Sequence, residues 1–351
     1  MTSKLVLLGT GGDDCVARIW KRALTRLPER QLSLPAIASK VAIDSSHPLA
    51  AVSDIHGQVL LWNFEAGSSL DRKLPHPRRV NSMYFSTNGQ RLVSECSDGI
   101  LRSWDIPTFA VKEIALNSAA QTLCLNHNED RLLIACEDAT IRRLDRNTFE
   151  TVGPATKYAA NAVPVAIAPD EKSFVSMTED GELTFWDLSS SKPRWVGRHR
   201  SRINCVVFNR QGTTVLTGSA DGTAVVWDCL SGKRVTTFSC SREVTSALFT
   251  THEEFVWLAG FTGEAQLWSV PTAKAVGVAF RHPNLITSIA LSSDESRLLT
   301  TCWDGGVRQW RVPSSMQGIK RELVSNIENQ IGLSLTSAGF VEMIYPGSTA
   351  P

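Results

Sequence analysis

Long apolar runs are missing from this sequence. No stretch approaches the roughly 18 apolar residues that a membrane-crossing helix needs, and Leu5–Leu8 is too short for the core of a secretory signal. Charge of one sign is missing too. Lys and Arg number 36 against 35 Asp and Glu, a formal net charge of +1, so no global field draws the chain to nucleic acid or an anionic membrane. The eight cysteines show neither a CxxC pair nor Cys/His ligand spacing, which argues against a metal site. Such scattered thiols are expected as small buried side chains in a reducing compartment, with the cytoplasm as the default location. No nucleophile elbow occurs, and no cofactor is implied.

What is present is a period. Trp20, Trp62, Trp104, Leu144, Trp186, Trp227, Trp268 and Trp310 stand 40–42 residues apart. A tight turn precedes most of them: SDGILRSW at Ser97–Trp104, EDGELTFW at Glu179–Trp186, ADGTAVVW at Ala220–Trp227 and WDGGVRQW at Trp303–Trp310. A period of about 40–45 residues with an Asp-Gly turn and a Trp marks a four-stranded propeller blade. One repeat shows how: RINCVVFN reads as a buried inner strand, TVLTGS as a second, TAVVWD as a third and RVTTF as a more polar outer strand. The expected fold is all-β, a single propeller of four-stranded antiparallel blades with a short C-terminal helix.

These repeats resemble the WD repeats of the G-protein β subunit family over about residues 4–312, and Trp-Asp pairs stand at Trp104–Asp105, Trp186–Asp187 and Trp227–Asp228. In that family a His before the inner strand, a Ser or Thr on the second strand, the turn Asp and the Trp form a buried network. The resemblance assigns those roles to His199, Ser219, Asp221 and Trp227, a structural tetrad rather than a catalytic triad. By the same offsets, Cys96 and Cys302 stand where a hydroxyl belongs, so the His76 and His282 blades are expected to lose part of the network.

Eight third strands are present, but the first repeat begins at Lys4 with its second strand. Eight blades with an incomplete first blade is the reading adopted; seven blades closed by strand exchange, using residues 21–310, is the alternative, and a start inside a longer protein is a third. Residues 1–312 are assigned to the propeller and 313–351 to an extension packed on or near it. There Ile319, Leu323, Ile327 and Ile331 recur at helical spacing, with Ser314 or Ser315 and Gly332 as its limits; LSLTSAGFVEMI follows as an extended piece. This tail resembles the C-terminal extension of bacterial multi-repeat WD proteins, several of which carry an upstream serine/threonine kinase domain. That resemblance implies the interaction arm of a larger, kinase-linked signalling protein.

The family binds partners on the face formed by the loops before the inner strands and by the second-to-third turns. Here those loops carry Arg78, Arg79, Arg198, Arg200, Arg202 and Arg281, with Trp303 in a turn on the same side. Arg and Trp dominate binding hot spots, and Arg forks suit acidic groups; the competing reading is a set of solvated loop charges. The expected function is a non-enzymatic protein-interaction scaffold, monomeric or within a larger assembly, for proteins or peptides with acidic groups. A propeller enzyme using the central channel and a nucleic-acid binder using the Arg loops are the alternatives. The inner strands (KVAID, SMYFS, LCLN, VAIA, VVFN, ALFT, IALS) hold few ionisable groups, which speaks against catalysis.

Overall fold

The computed structural model describes residues 28–312, except 115–117, 119, 127–129, 158–163, 191 and 252, together with four short strands near the termini. Two compact units are present. In the terminal unit, Leu7–Gly11 pairs antiparallel with Ala17–Lys21, and Leu333–Leu335 with Val341–Met343. The expected helix around Ile319–Ile331 lies outside the described residues.

The other unit, Thr25–Arg311, holds seven four-stranded antiparallel sheets. We number blades by their inner strands: Ala38–Ile43 (blade 1), Val80–Phe85 (2), Ala120–Leu125 (3), Pro164–Ile167 (4), Ile203–Phe208 (5), Val244–Phe249 (6) and Ile286–Leu291 (7). Each blade runs outward in sequence order. In blade 5, Thr214–Ser219, Thr223–Asp228 and Arg234–Ser239 follow the inner strand.

Blade 7 is completed from the other end of the chain. Its outer strand is Arg30–Ser33, which pairs with Gln309–Gly306. The eight-bladed reading is therefore corrected to seven. Blade 7 packs directly on blade 1, Leu299 and Val307 against Ala50 and Val52, which leaves no gap for an eighth sheet, and the exchanged strand pairs backbone groups of Gly306–Gln309 that would otherwise stand unpaired. Among the described residues, the first repeat contributes the paired strands Leu7–Gly11 and Ala17–Lys21.

The three inward strands of each blade are largely apolar, because there the sheet buries both faces, while the outer strands are polar. On the second strand of blade 1, Ala50 and Val52 pack with Leu299 and Val307 of blade 7. The intervening Ala51 packs instead with Val80, Leu92 and Trp104 of blade 2. Trp62, Trp257 and Trp310 are fully buried, each contributing about 1.5–3 kcal/mol or more of apolar burial.

Every inner strand carries a β-bulge against its second strand, as at Ala38/Lys40, Ile203/Cys205, Val244/Ser246 and Ile286/Ser288. The extra residue turns its side chain to the next blade. Asn204 Nδ2 donates to the Val244 carbonyl at 2.9 Å, Thr245 Oγ1 to Ile286 at 2.5 Å and Thr287 Oγ1 to Ala38 at 2.6 Å. The last of these bonds joins blade 7 to blade 1, so the closure is stitched at the inner rim as well as at the outer edge.

Candidate interaction face and central channel

The buried network of blade 5 centres on Thr217. Trp227 Nε1–H donates to Thr217 Oγ1 at 2.8 Å, and His199 Nε2 lies 2.7 Å from the same oxygen. His199 Nδ1 faces Asp221 Oδ2 at 3.3 Å and Thr223 Oγ1 at 3.1 Å. With the His199 proton on Nδ1, the Thr217 hydroxyl donates to Nε2 and every donor has an acceptor. Ser219 is not part of this network; its hydroxyl donates to the Ser201 and Arg202 carbonyls. Residues 217 and 219 share one face of the strand, but Ser219 lies about 7 Å further along it, beyond the reach of the indole.

The same offset corrects the other two blades. His76 and Trp104 meet on Ser94 (2.7 and 2.9 Å), and His282 and Trp310 meet on Thr300 (2.7 and 2.8 Å). Neither blade lacks its hydroxyl, and Cys96 and Cys302 instead donate to the Arg78 and Asn284 carbonyls. Where the position is apolar the network fails. Blade 1 has Val52 there, and the buried Trp62 Nε1–H finds no acceptor among the described residues. Blade 3 has Ile134 there and replaces the Trp with Leu144, which brings no donor.

The turn aspartates of blades 2, 3, 5 and 7 are held in two ways. In blades 2, 3 and 7 an Arg four residues on takes the carboxylate: Arg102–Asp98 at 2.7 Å, Arg142–Asp138 at 2.6 Å and Arg308–Asp304 at 2.7 Å. Burial opposes ionisation of Asp304, but Arg308 and the Gly306 N–H outweigh it and hold the carboxyl at about 2. Blade 5 has Val225 in place of the Arg, and Asp221 accepts from His199, Thr223 and the Arg200 N–H instead. Burial lowers the pKa of His76, His199 and His282; for His282, burial together with the adjacent Arg308 brings it to about 3.

Above this framework, in five blades the loop entering the inner strand is tied to the second-to-third turn of the same blade. The N–H groups of Ile55, Ser97, Ala220, Phe261 and Trp303 donate to the carbonyls of Ile37, Arg79, Arg202, Glu243 and Leu285. This repeated bond puts Trp303 and the loop arginines on one face. Most of those arginines are already paired. Arg198 and Arg281 stand directly opposite Glu182 and Glu264 across their strands, at 3.0 and 2.9 Å, and Arg202 meets Glu243 at 2.8 Å. Arg78, Arg79 and Arg200 are exposed and make no ion pair among the described residues.

Two residues that sequence reasoning passed over belong here. Phe261 is half exposed, like Trp303 in the next blade, and the Arg242 guanidinium lies 5.6 Å from its ring centre. Their common offset, two residues before the turn glycine, was available in the sequence. Around the ring that position reads Ile55, Ser97, Glu137, Glu179, Ala220, Phe261, Trp303. The apolar members are contiguous, from blade 5 through blade 7 to blade 1.

The profile of the family described as WD domain, G-beta repeat matches residues 68–105, 192–228 and 275–311. Three repeats of this seven-bladed propeller therefore match WD repeats of that family. The chain is similar to WD repeat-containing protein slp1 of Schizosaccharomyces pombe, with 24% identity over 83% of this chain and 62% of that protein. It is also similar to guanine nucleotide-binding protein subunit beta of Oryza sativa subsp. japonica, with 24% identity over 72% of this chain and 75% of that protein. Small ribosomal subunit protein RACK1y of the same plant is 25% identical over 71% of this chain and 79% of its own length. The chain thus spans under two thirds of slp1. These relatives are eukaryotic, and the expected likeness to bacterial kinase-linked proteins finds no support in them. WD40 propellers of this kind are generally non-enzymatic scaffolds that bind other proteins. Among the described residues no helix is long and apolar enough to cross a membrane, and no cluster of metal-ligating side chains occurs.

Proposed function

We propose that this WD40 propeller is a non-enzymatic scaffold that docks a partner protein on the arc of blades 5, 6, 7 and 1. The observation that carries the reading is the pair of half-exposed aromatics, Phe261 and Trp303, at equivalent positions in adjacent blades. Arg242 and Arg200 flank them, so the arc suits a partner with an apolar anchor and acidic neighbours. The opposite arc, with Glu137 and Glu179 at the same position, would repel such a segment. Among the described residues no disulfide joins the seven cysteines, which supports a cytoplasmic setting. A place in a signalling assembly follows by analogy with the guanine nucleotide-binding protein subunit beta.

The test is crosslinking and mass spectrometry on wild type and on Phe261→Ala/Trp303→Ala. Loss of the crosslinks to blades 6 and 7, with an unchanged unfolding midpoint, supports the arc. Crosslinks that persist in the double variant, or that map to blades 2–4, overturn it.

A further inference from the structure

Among the described inner strands a single residue is cationic, and it forms no ion pair with a described residue. Lys40 follows the bulge residue Ser39 in blade 1 and is half-buried. Its ammonium is within electrostatic reach of the Cys205 thiol of blade 5 and of Arg79 and Glu95 of blade 2. Its place on the innermost strand of blade 1, just past the bulge, sets it on the wall of the central channel. The corresponding positions in blades 2, 5, 6 and 7 hold the short side chains of Ser82, Cys205, Ser246 and Ser288, which leaves room for the lysine to cross.

Lys40 makes no ion pair or side-chain hydrogen bond with a described residue. Arg79 Nε donates to Ser39 Oγ at 3.1 Å, beside Lys40, and the end of its guanidinium has no acidic partner among the described residues. Among the described residues Glu95 is the carboxyl within electrostatic reach of Lys40, and it is already engaged: Asn81 Nδ2 and Ser82 Oγ donate to its two oxygens at 2.9 and 3.3 Å. Burial pushes that carboxyl up to about 7, so it is only partly ionised at neutral pH. Burial, with Arg79 beside it, also lowers the Lys40 pKa. Two cations near one part-ionised carboxyl leave a net positive charge that favours an anion.

We propose that the channel mouth binds an oxyanion, the phosphate or carboxylate group of a small molecule or of a partner, between the Lys40 ammonium and the Arg79 guanidinium. Lys40 supplies a point charge in the channel, and Arg79 a planar fork at its rim. The site does not depend on the aromatic arc and needs no partner protein, so its test is independent of the docking reading.

The experiment is calorimetric titration of the full chain with inorganic phosphate and, separately, with acetate, at matched ionic strength in chloride. Saturable binding of either anion by wild type is expected, weakened at least about tenfold by Lys40→Met. Arg79→Gln weakens binding as well, and Lys40→Arg retains it. Phosphate binding without acetate binding points to a phosphate source, and binding of both to any oxyanion. Thermal unfolding shows whether each variant is folded, and loss of binding in a folded Lys40→Met chain that Lys40→Arg restores supports the site. Absence of saturable binding of both anions by wild type, or undiminished binding by Lys40→Met, overturns it.

Discussion

Trp227 donates its indole N–H to the Thr217 hydroxyl at 2.8 Å, from the third strand of blade 5 to the second. The same oxygen serves His199, so one side chain satisfies two buried rings. Thr217→Val keeps the shape and strands both partners. The expected loss is about 2–4 kcal/mol, the desolvation penalty of two orphaned groups, read as a lower urea midpoint. A loss under about 0.5 kcal/mol would show that the network is not holding the blade.

Blade 1 offers the reverse experiment. Val52→Thr supplies the buried Trp62 N–H with the acceptor it lacks, in a pocket of similar volume. Stability should rise by about 0.5–1.5 kcal/mol. The same change at Ile134 should give no gain, because Leu144 brings no N–H to satisfy.

Ala139 occupies the turn position held by glycine in the other blades, at φ 58°. At Gly181 a Cβ would fall 2.2 Å from the Ser201 carbonyl oxygen, so glycine there is required. At Ala139 the left-handed backbone is adopted by a residue that disfavours it, at a cost of about 1–2 kcal/mol. Ala139→Gly should recover about 1 kcal/mol of this in thermal unfolding, the rest being offset by the greater freedom of glycine in the unfolded chain.

Stability should depend on pH in two opposed ways. His76, His199 and His282 have pKa values lowered by burial, so the unfolded chain binds more protons below its ordinary histidine pKa near 6.5. Their contribution is complete above that value and lost as pH falls, for His282 down to about 3, at roughly 1 kcal/mol per unit for each group. Glu95 has the opposite sign. Its pKa is raised from 4.5 to about 7, so its contribution is full below 4.5 and lost as pH rises through 7. Glu95→Gln should therefore gain on wild type by up to roughly 3 kcal/mol between pH 4.5 and 8. A stability difference that does not change across that range would sink the assignment.

Closure can be probed at Leu32, which packs in the seam with Trp62 and Val307. Leu32→Asp buries a carboxylate there and should cost about 2 kcal/mol or more. Leu70→Asp, on the exposed outer strand of blade 1, should cost about 0.5 kcal/mol or less. Equal unfolding midpoints would mean that the exchanged strand contributes nothing to ring closure.

The ring was legible because its period is carried by buried residues: Trp62 and Trp310 recur where neighbouring sheets must be filled. Blade number was harder to read, since Leu7–Lys21 has the pattern of a repeat but no inner strand, and only pairing shows that Arg30–Ser33 takes the last edge. The Thr217 network was misread by one step because Thr217 and Ser219 alternate onto the same face, and choosing between two hydroxyls needs a distance. Charge pairing was hidden for a related reason. Arg198 and Glu182 are 16 positions apart in sequence and become neighbours only through strand register. Phe261 needed no structure at all, only alignment of its turn with that of Trp303.

The exchanged strand has a consequence for biosynthesis. Arg30–Ser33 leaves the ribosome well before its partner Gly306–Gln309, which comes some 270 residues later, and the bond from the Glu29 N–H to the Gln309 carbonyl closes the same span. Until translation reaches that point, blade 1 has no neighbour on one side, and Ala50, Val52 and Trp62 face water. Ring formation is thus a late event with a large entropic penalty for joining distant segments. A nascent chain stalled before Gly306 would present an open, greasy flank, the kind of surface that chaperones engage and that aggregates without them.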